Sequence, residues 1–208
     1  MTTKQRLTAV FDRLNTLYPD ADCSLQYPDA WQLLVSAILA TQCTDVRVNM
    51  VTPALFERYA DVYAFAEAEE SELIGYIKST GFFNNKAKNI IGSAKRVCEV
   101  YSGTVPDEID ELVTLPGVGR KIANLVVGDI FGKSAIVIDT HAKRITYRLG
   151  LTKNTDPTKI EMDLRKIVPD DYGARFCHQL VLFGRDVCVA RKPRCGECVL
   201  EDVCAKRF

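Results

Sequence analysis

The sequence predicts an all-α protein, and three observations support that fold class. Apolar side chains recur at helical spacing along most of the 208-residue chain, as in residues 4–17, where they form one stripe. Glycine, proline and N-capping residues divide the chain into about ten such segments. The one segment with strand character, Ala135–Ile138, is short and has no candidate partner strand.

Boundary residues define the helices of the first half. The first helix covers 4–17, and a second begins after Asp29. Thr44 is suited to cap the third helix, because its hydroxyl can accept a hydrogen bond from a backbone amide. Thr52 and Pro53 match an N-cap followed by proline at the first helical position, so we expect a new helix to begin there.

Glycines mark the ends of two later helices. Segments 70–79 and 85–101 have helical patterns and are followed by Gly81 and Gly103, each in the position of a C-terminal stop. The remaining expected helices are 107–114, 120–131, one that begins after Asp139, 157–167 and 172–186.

The composition is that of a folded globular protein. The chain has 27 basic and 27 acidic residues, with 47% hydrophobic and 26% charged residues, which excludes a disordered tail. The longest apolar stretch, Trp31–Ala40, is far shorter than the ~20 residues of a membrane helix. The N-terminal sequence MTTKQRL does not open a secretory signal, so we expect a cytoplasmic protein with no membrane partner.

A net charge of zero excludes nucleic-acid binding through overall positive charge, but two segments are locally basic. Residues 119–148 carry six basic and two acidic residues, and residues 191–194 read Arg-Lys-Pro-Arg. Basic groups therefore gather around the two regions that also carry sequence motifs.

The first motif is a group of four cysteines spaced Cys188-x6-Cys195-x2-Cys198-x5-Cys204. A Cys-x2-Cys pair suits metal binding, and four thiols on one irregular loop suit the corner irons of a [4Fe–4S] cluster. Structural zinc and a role without metal remain alternatives. The loop has few apolar residues of its own, so we expect the metal to supply its fold.

The second motif is the turn LPGVG at 115–119, which precedes an expected helix. Its glycines leave backbone amides uncovered at the helix start, and such amides can bind a DNA phosphate, although an ordinary turn would have the same sequence. Lys121 lies in the first helical turn. A helix N-terminus and partial burial both favour the neutral, nucleophilic form of an amine, although a lysine at such a position is most often a solvated surface residue. Asp139 is suited to cap a helix, and a capping carboxylate is also rigidly placed for chemistry.

Taken together, LPGVGRKIA, VIDTH and the cysteine spacing resemble the endonuclease III family of helix–hairpin–helix DNA repair glycosylases over nearly the whole chain. The resemblance implies two helical domains flanking a cleft, with a helix–hairpin–helix motif and a C-terminal [4Fe–4S] loop. One domain is expected at 23–133, and the other joins 1–22 to 134–208. The cysteines are then the ligands of the cluster.

The resemblance also implies an activity. The expected enzyme is a bifunctional DNA glycosylase and AP lyase that removes oxidised pyrimidines from duplex DNA. Lys121 would form a Schiff base with the sugar, Asp139 would be the catalytic carboxylate, and β-elimination would nick the strand 3′ to the site. The expected partner is double-stranded DNA with damaged bases or abasic sites, bound by a monomer that associates with the nucleoid when it acts on DNA.

Further DNA contacts follow from the same resemblance. Gln42 would fill the gap left by the extruded nucleotide, and Phe82 would wedge between bases, although core packing explains Phe82 equally well. The carbonyls of Leu115 and Val118 are expected to hold a monovalent cation. The other implied DNA-binding residues are Leu115, Gly117, Val118, Gly119, His141, Arg144, Lys192 and Arg194.

The chain departs from better-known members of this family at two positions. Val113 and Ala40 replace a glutamate and a serine near the base pocket, which bears on lesion preference. Adenine-removing relatives lack the lysine and have a glutamate where this chain has Ala37, so the presence of Lys121 argues against that activity. A non-catalytic helix–hairpin–helix module and an electron-transfer protein are the alternatives from other functional classes.

Overall fold

A computed structural model describes residues 1–208 and shows eleven α-helices, two 3₁₀ turns and no strand, so the all-α prediction is confirmed. The α-helices are α1 Thr3–Leu17, α2 Ala30–Leu39, α3 Asp45–Arg58, α4 Val62–Ala66, α5 Glu70–Ile77, α6 Phe83–Tyr101, α7 Ile109–Leu112, α8 Arg120–Asp129, α9 Thr140–Leu149, α10 Pro157–Arg165 and α11 Gly173–Asp186. The 3₁₀ turns cover Lys78–Thr80 and Cys195–Glu197.

The chain forms two compact units. The central unit is Cys23–Phe131, and the split unit joins Met1–Asp22 to Gly132–Phe208. We propose that these units are the two domains, with Gly132 and Lys133 belonging to the split unit.

The apolar stretch of α2 lies in the core of the central unit. Eight of its ten residues are buried, and α2 packs against α3, α6 and α8. Beside it, the Phe65 ring lies 5.6 Å from the ring of Trp31 and 5.0 Å from that of Tyr59. No helix of the chain is both long enough and apolar enough to cross a membrane.

The helix boundary expected at Thr52 and Pro53 is wrong. α3 runs without interruption from Asp45 to Arg58, with Pro53 inside it and Thr52 buried. Proline removes one intrahelical hydrogen bond. Val48 and Leu55 are buried on the two sides of the proline, so packing maintains a helix that local propensity would end.

The split unit is built around α9 and α11, which pack against each other, with α1 against α11. The ring of Phe11 on α1 lies 4.4 Å from that of Tyr172 and 5.0 Å from that of Phe176. The segment that had strand character forms no strand, and three of its four residues, Ala135, Ile136 and Val137, are buried. Its Val137 amide donates instead to the Cys177 sulfur, at 3.2 Å.

Candidate active site and cysteine-lined cavity

The hairpin at 115–119 in the central unit is a tight turn fastened to α6. The Val118 amide donates to the Leu115 carbonyl at 3.1 Å, and the Ser93 hydroxyl donates to the Pro116 carbonyl at 2.8 Å. Gly117 has a φ of 78°, and a Cβ atom there would lie 2.7 Å from the Asn89 side-chain nitrogen. Glycine is therefore required at this position by both backbone conformation and space.

The start of α8 has the properties of an anion site. Gly119 is its N-cap and provides no capping side chain, and the first turn contains no acidic residue. No atom lies within 4 Å of the position that a Gly119 Cβ would take, so the backbone is accessible there. Arg120 and Lys121 add positive charge to a helix end that already favours anions.

Lys121 is exposed, so the partial burial expected for it is wrong. The side chain follows the glycine turn directly and points from the first turn of a helix that packs on α2. Its backbone is thus fixed by the hairpin and the core, while its amine remains accessible to a bound substrate.

Asp139 in the split unit caps α9, as the capping interpretation predicted. Its Oδ1 accepts a hydrogen bond from the Ala142 amide at 2.7 Å, whereas Oδ2 has no hydrogen-bond partner in the structure. The side chain is half-buried. One carboxylate oxygen therefore fixes the orientation of the group, and the other is left to accept a proton or face a positive charge.

His141 lies two residues after Asp139, in the first turn of α9, and is half-buried. Burial lowers its pKa, and Arg144 and Arg185 lower it further, although Asp139 opposes them. Its Nδ1 lies 3.2 Å from Nη2 of Arg144. Because a guanidinium can only donate, this contact requires Nδ1 to accept, and a hydrogen bond between the ring and the Gly184 backbone opposes the lowering of the pKa.

Gln42 and Phe82 lie on two loops of the central unit, and both side chains are exposed. Phe82 is 61% exposed, so the core-packing explanation for it is wrong. Both residues have left-handed backbone conformations, with φ of 53° for Gln42 and 48° for Phe82. Such conformations are uncommon for residues other than glycine and are often found at functional sites.

The cysteine loop extends from Cys188 to Cys204 in the split unit, and its four cysteines line one cavity. All four are half-buried and none forms a disulfide. Burial raises the pKa of Cys198 and of Cys204, and the neighbouring cysteines raise both further. No three or more Cys, His, Asp or Glu side chains are arranged to hold a single metal ion.

Backbone amides also point at the sulfurs of this cavity. The Leu200 amide lies 3.4 Å from the Cys198 sulfur, and the Lys206 amide lies 3.3 Å from the Cys204 sulfur. Hydrogen bonds of this kind tune iron–sulfur clusters. Four thiols around one cavity, with amides directed at two of them, fit an iron–sulfur cluster.

Two arginines of α9 hold the start of the cysteine loop. Arg144 donates to the Cys188 carbonyl from Nη2 at 2.9 Å, and Arg148 donates to the carbonyls of Val189 and Ala190 at 2.8 and 2.9 Å. Nη1 of Arg148 also lies 3.5 Å from the Cys188 sulfur. Sequence reasoning missed this role of Arg148, although the spacing of four residues already places both arginines on one helix face.

The loop is anchored more firmly than its sequence suggested. Leu200 is fully buried and Val203 is 4% exposed, so apolar packing also contributes to the fold of the loop. Arg13 of α1 pairs with Asp202 through both terminal guanidinium nitrogens, Nη1 and Nη2. Arg6, also on α1, donates to the Val203 carbonyl at 2.7 Å. Apolar packing and α1 therefore hold the distal half of the loop.

The basic segment of the loop is exposed, as a DNA-facing surface requires. Lys192 is exposed and has a φ of 53°. Arg194 is also exposed and hydrogen bonds to the backbone and side chain of Asp186. An exposed ion pair of this type contributes little stability, so Arg194 can be redirected at small cost.

Two family models match the chain. Residues 35–170 match the HhH-GPD superfamily of base excision DNA repair proteins, and residues 188–204 match the iron–sulfur binding domain of endonuclease III. The second match covers the cysteine loop from its first cysteine to its last.

Relatives and solved structures extend this similarity to nearly the full length. Endonuclease III of Synechocystis sp. is 52% identical over 202 residues, which cover 97% of this chain and 92% of the relative. A solved non-covalent endonuclease III–DNA complex aligns with a TM-score of 0.92 and 39% identity, over 99% of this chain and 97% of that chain. A trapped covalent endonuclease III–DNA intermediate aligns with the same values.

Proposed function

The chain belongs to the endonuclease III family of HhH-GPD base excision DNA repair proteins, and we propose that Lys121 and Asp139 carry its catalysis. It is a DNA glycosylase and AP lyase, it acts on DNA, and it binds an iron–sulfur cluster. Its substrates in this proposal are oxidised pyrimidines and abasic sites in duplex DNA. The observation that carries the proposal is the position of Lys121. Its amine is accessible, and its backbone lies at the start of α8, which has no side-chain cap and directly follows a turn suited to a phosphate.

Lys121 acts as the nucleophile. Its neutral amine bonds to C1′ of the extruded nucleotide as the bond from C1′ to the base breaks, and the base leaves with that electron pair and takes up a proton. The bound amine loses one proton, and the sugar ring opens as the C1′–O4′ bond breaks and O4′ takes up a proton, which leaves a protonated imine between Lys121 and C1′. Removal of a proton from C2′ then expels the 3′ phosphate, which nicks the strand, and water hydrolyses the imine to restore the lysine.

Asp139 stabilises the positive charge that develops on the sugar as the base departs. Its cap bond to Ala142 holds the carboxylate in place before substrate binds, so no reorganisation is needed at the moment of reaction. Its Oδ2 is left to take up a proton during the reaction.

The hairpin binds a phosphate of the DNA through the backbone amides of Gly117 and Gly119. The carbonyls of Leu115 and Val118 hold a monovalent cation that offsets phosphate charge at the same turn. Gln42 and Phe82 occupy the space of the extruded nucleotide. The surrounding phosphate contacts are His141, Arg144, Lys192 and Arg194, and for Arg144 any such contact adds to its bonds within the protein.

The cluster of this proposal is [4Fe–4S], held by Cys188, Cys195, Cys198 and Cys204. When bound, it cross-links the loop through four iron–thiolate bonds and takes no part in bond cleavage. Its presence fixes the basic segment at 191–194 for contact with DNA. Iron and acid-labile sulfide should each be found at about four atoms per chain, and about two of each would contradict this cluster type.

Borohydride trapping tests the nucleophile. The enzyme with an abasic duplex and borohydride should give a covalent adduct, because the imine is reduced to a stable amine. Lys121→Ala should lose the adduct and slow strand cleavage by about 10³-fold or more, as expected for removal of a nucleophile. Lys95→Ala removes an exposed lysine of α6 and should trap normally. Normal cleavage by Lys121→Ala would refute the assignment.

A pair of variants separates the two tasks of Asp139. Asparagine also caps helices well, so Asp139→Asn should keep stability and lose about 10²-fold in base excision. Asp139→Ala should lose a similar amount of activity and also about 1 kcal/mol of unfolding free energy. Equal base excision by the asparagine variant and the unaltered enzyme would limit Asp139 to capping.

A panel of duplexes, each with one damaged base, tests the substrate range. Oxidised pyrimidines should be excised faster than oxidised purines, alkylated purines or mismatched thymine. Val113→Glu and Ala40→Ser restore the residues of better-known members. If either variant excises the lesions in a different order of rates from the unaltered enzyme, lesion preference is assigned to that position.

A further inference from the structure

Lys86 is a buried lysine that the catalytic proposal does not use. It lies on α6 in the central unit and is 4% exposed. Its ammonium donates to the carbonyls of Leu39 and Thr80, each at 2.8 Å. Burial lowers the pKa of Lys86, and the nearby Cys43 opposes that effect. A buried ammonium that bonds to carbonyls rather than to a carboxylate costs free energy. Its presence at this position therefore calls for a structural or functional reason.

The two carbonyls that accept these bonds are helix ends. Leu39 is the last residue of α2, and Thr80 is the last residue of the 3₁₀ turn Lys78–Thr80. Carbonyls at helix C-termini have no partner in the helix and carry its partial negative charge. One ammonium therefore joins the ends of two helical segments that are far apart in the sequence.

The residues after these two ends are the candidate DNA-inserting residues. Gln42 follows Leu39 closely, and Phe82 follows Thr80 closely. Both are exposed, and both have left-handed backbone conformations, with φ of 53° and 48°. Strained conformations of this kind persist only where the surrounding structure fixes them. The bonds of Lys86 are such a constraint, and they are common to both loops.

We propose that Lys86 is a positioning residue, which holds loops 40–42 and 80–82 at a fixed spacing so that Gln42 and Phe82 enter the base stack together. The inference rests on the proposed function, which gives these two side chains their place in DNA. Lys86 itself touches neither DNA nor the reacting sugar. Its role concerns the extrusion of a nucleotide from a paired duplex rather than the chemistry that follows.

Two substrates separate extrusion from chemistry. The first is a duplex with an oxidised pyrimidine opposite its normal partner. The second has an abasic site opposite another abasic position, where pairing and much of the stacking are already lost. Lys86→Met should slow the first reaction by about 10- to 100-fold, since a misplacement of about 1 Å can cost that much, and the second by less than about threefold.

A double variant tests whether Lys86 acts through Phe82. Phe82→Ala should slow the paired substrate in the unaltered enzyme. In the Lys86→Met background the same change should add less than about twofold, because a misplaced wedge has little left to lose. Independent contributions would multiply, and that result would overturn the proposal.

Two further variants complete the design. Lys95→Met removes an exposed lysine from the same helix and should leave the ratio of the two rates unchanged. Lys86→Arg keeps a positive donor at this buried position and should give a smaller, still duplex-selective loss. If Lys86→Met fails to fold, Lys86→Arg decides alone. Equal rate losses on both substrates, or no loss in a folded variant, would overturn the proposal.

The outcome also separates this inference from the proposed function. If Gln42→Ala and Phe82→Ala show no loss specific to the paired duplex, the DNA-inserting roles are wrong. If those two variants lose paired-duplex activity while Lys86→Met does not, only the role of Lys86 is wrong.

Discussion

The hairpin of the central unit and the cysteine loop of the split unit are both short segments beside a helix, yet they are held in different ways. The hairpin is held by hydrogen bonds of backbone and hydroxyl groups. The Val118 amide donates to the Leu115 carbonyl within the turn, and the Ser93 hydroxyl of α6 donates to the Pro116 carbonyl. In the cysteine loop, arginines of α1 and α9 bond to its carbonyls and to Asp202. Its thiols meet around a cavity.

This difference shows two ways of holding a segment that we propose contacts DNA. The hairpin contains no titratable side chain at 115–119, so its shape depends on steric fit and on hydrogen bonds between uncharged groups. The cysteine loop gathers four thiols whose burial disfavours the thiolate in Cys198 and Cys204. Metal binding offsets that cost and links folding of the loop to its occupant. The hairpin should therefore tolerate metal loss and acid better than the cysteine loop does.

Removal of one cluster ligand should give the largest effect. Cys198→Ser should lose iron and lower the melting temperature by about 10 °C, because metal binding contributes folding free energy to the loop. Limited proteolysis should cut within 188–204 and spare 115–119. Cys98→Ser, in α6, is the matched control and should retain iron. Full iron content in Cys198→Ser would contradict the ligand assignment.

A methyl group in the hairpin should give the next largest effect. Gly117→Ala forces a side chain into a φ of 78° and places its Cβ 2.7 Å from the Asn89 nitrogen, so about 2 kcal/mol of unfolding free energy should be lost. Gly119→Ala meets no atom within 4 Å, and its stability should change by less than about 0.5 kcal/mol. Denaturant unfolding measures both. Iron content should be normal in each, and equal stability of the two would refute the steric account.

Acid should give the smallest effect, and only in the split unit. The pKa of His141 is lowered in the folded protein by burial, so below about pH 6.5 the unfolded chain takes up a proton that the folded chain does not. Stability should therefore fall as the pH drops from 7 toward 5. Asp139, Arg144 and Arg185 surround this ring, and protonation would remove the acceptor that faces Arg144. The free energy of unfolding of His141→Gln should fall less steeply between pH 7 and pH 5, as measured by denaturant unfolding over the range in which cluster absorbance is constant. An unchanged slope would contradict this explanation.

Local patterns in the sequence predicted the parts of the site that are local in the structure. The cap at Asp139 involves residues three apart, and the turn that requires Gly117 spans five residues. The spacing of the cysteines likewise indicated a shared occupant because the loop that carries them is short. Each of these features is determined mainly by near neighbours in the chain.

The features that the sequence did not reveal depend on distant contacts. A lysine at position 86 resembles any helical lysine until the carbonyls of Leu39 and Thr80 are brought to it. Pro53 resembles a helix start until burial on both sides keeps α3 continuous. The exposure of Phe82, which argues against core packing, likewise depends on a backbone conformation that no local pattern specifies.

The attachment of α1 to the far end of the chain has a consequence for biosynthesis. α1 is synthesised well before its partners Asp202 and Val203. At about 5–20 residues per second, the newborn helix waits roughly 10–40 s for them. The central unit is continuous in sequence and can fold in that interval. Closure of the split unit by α1 and delivery of iron to the cysteines then follow the folding of the central unit.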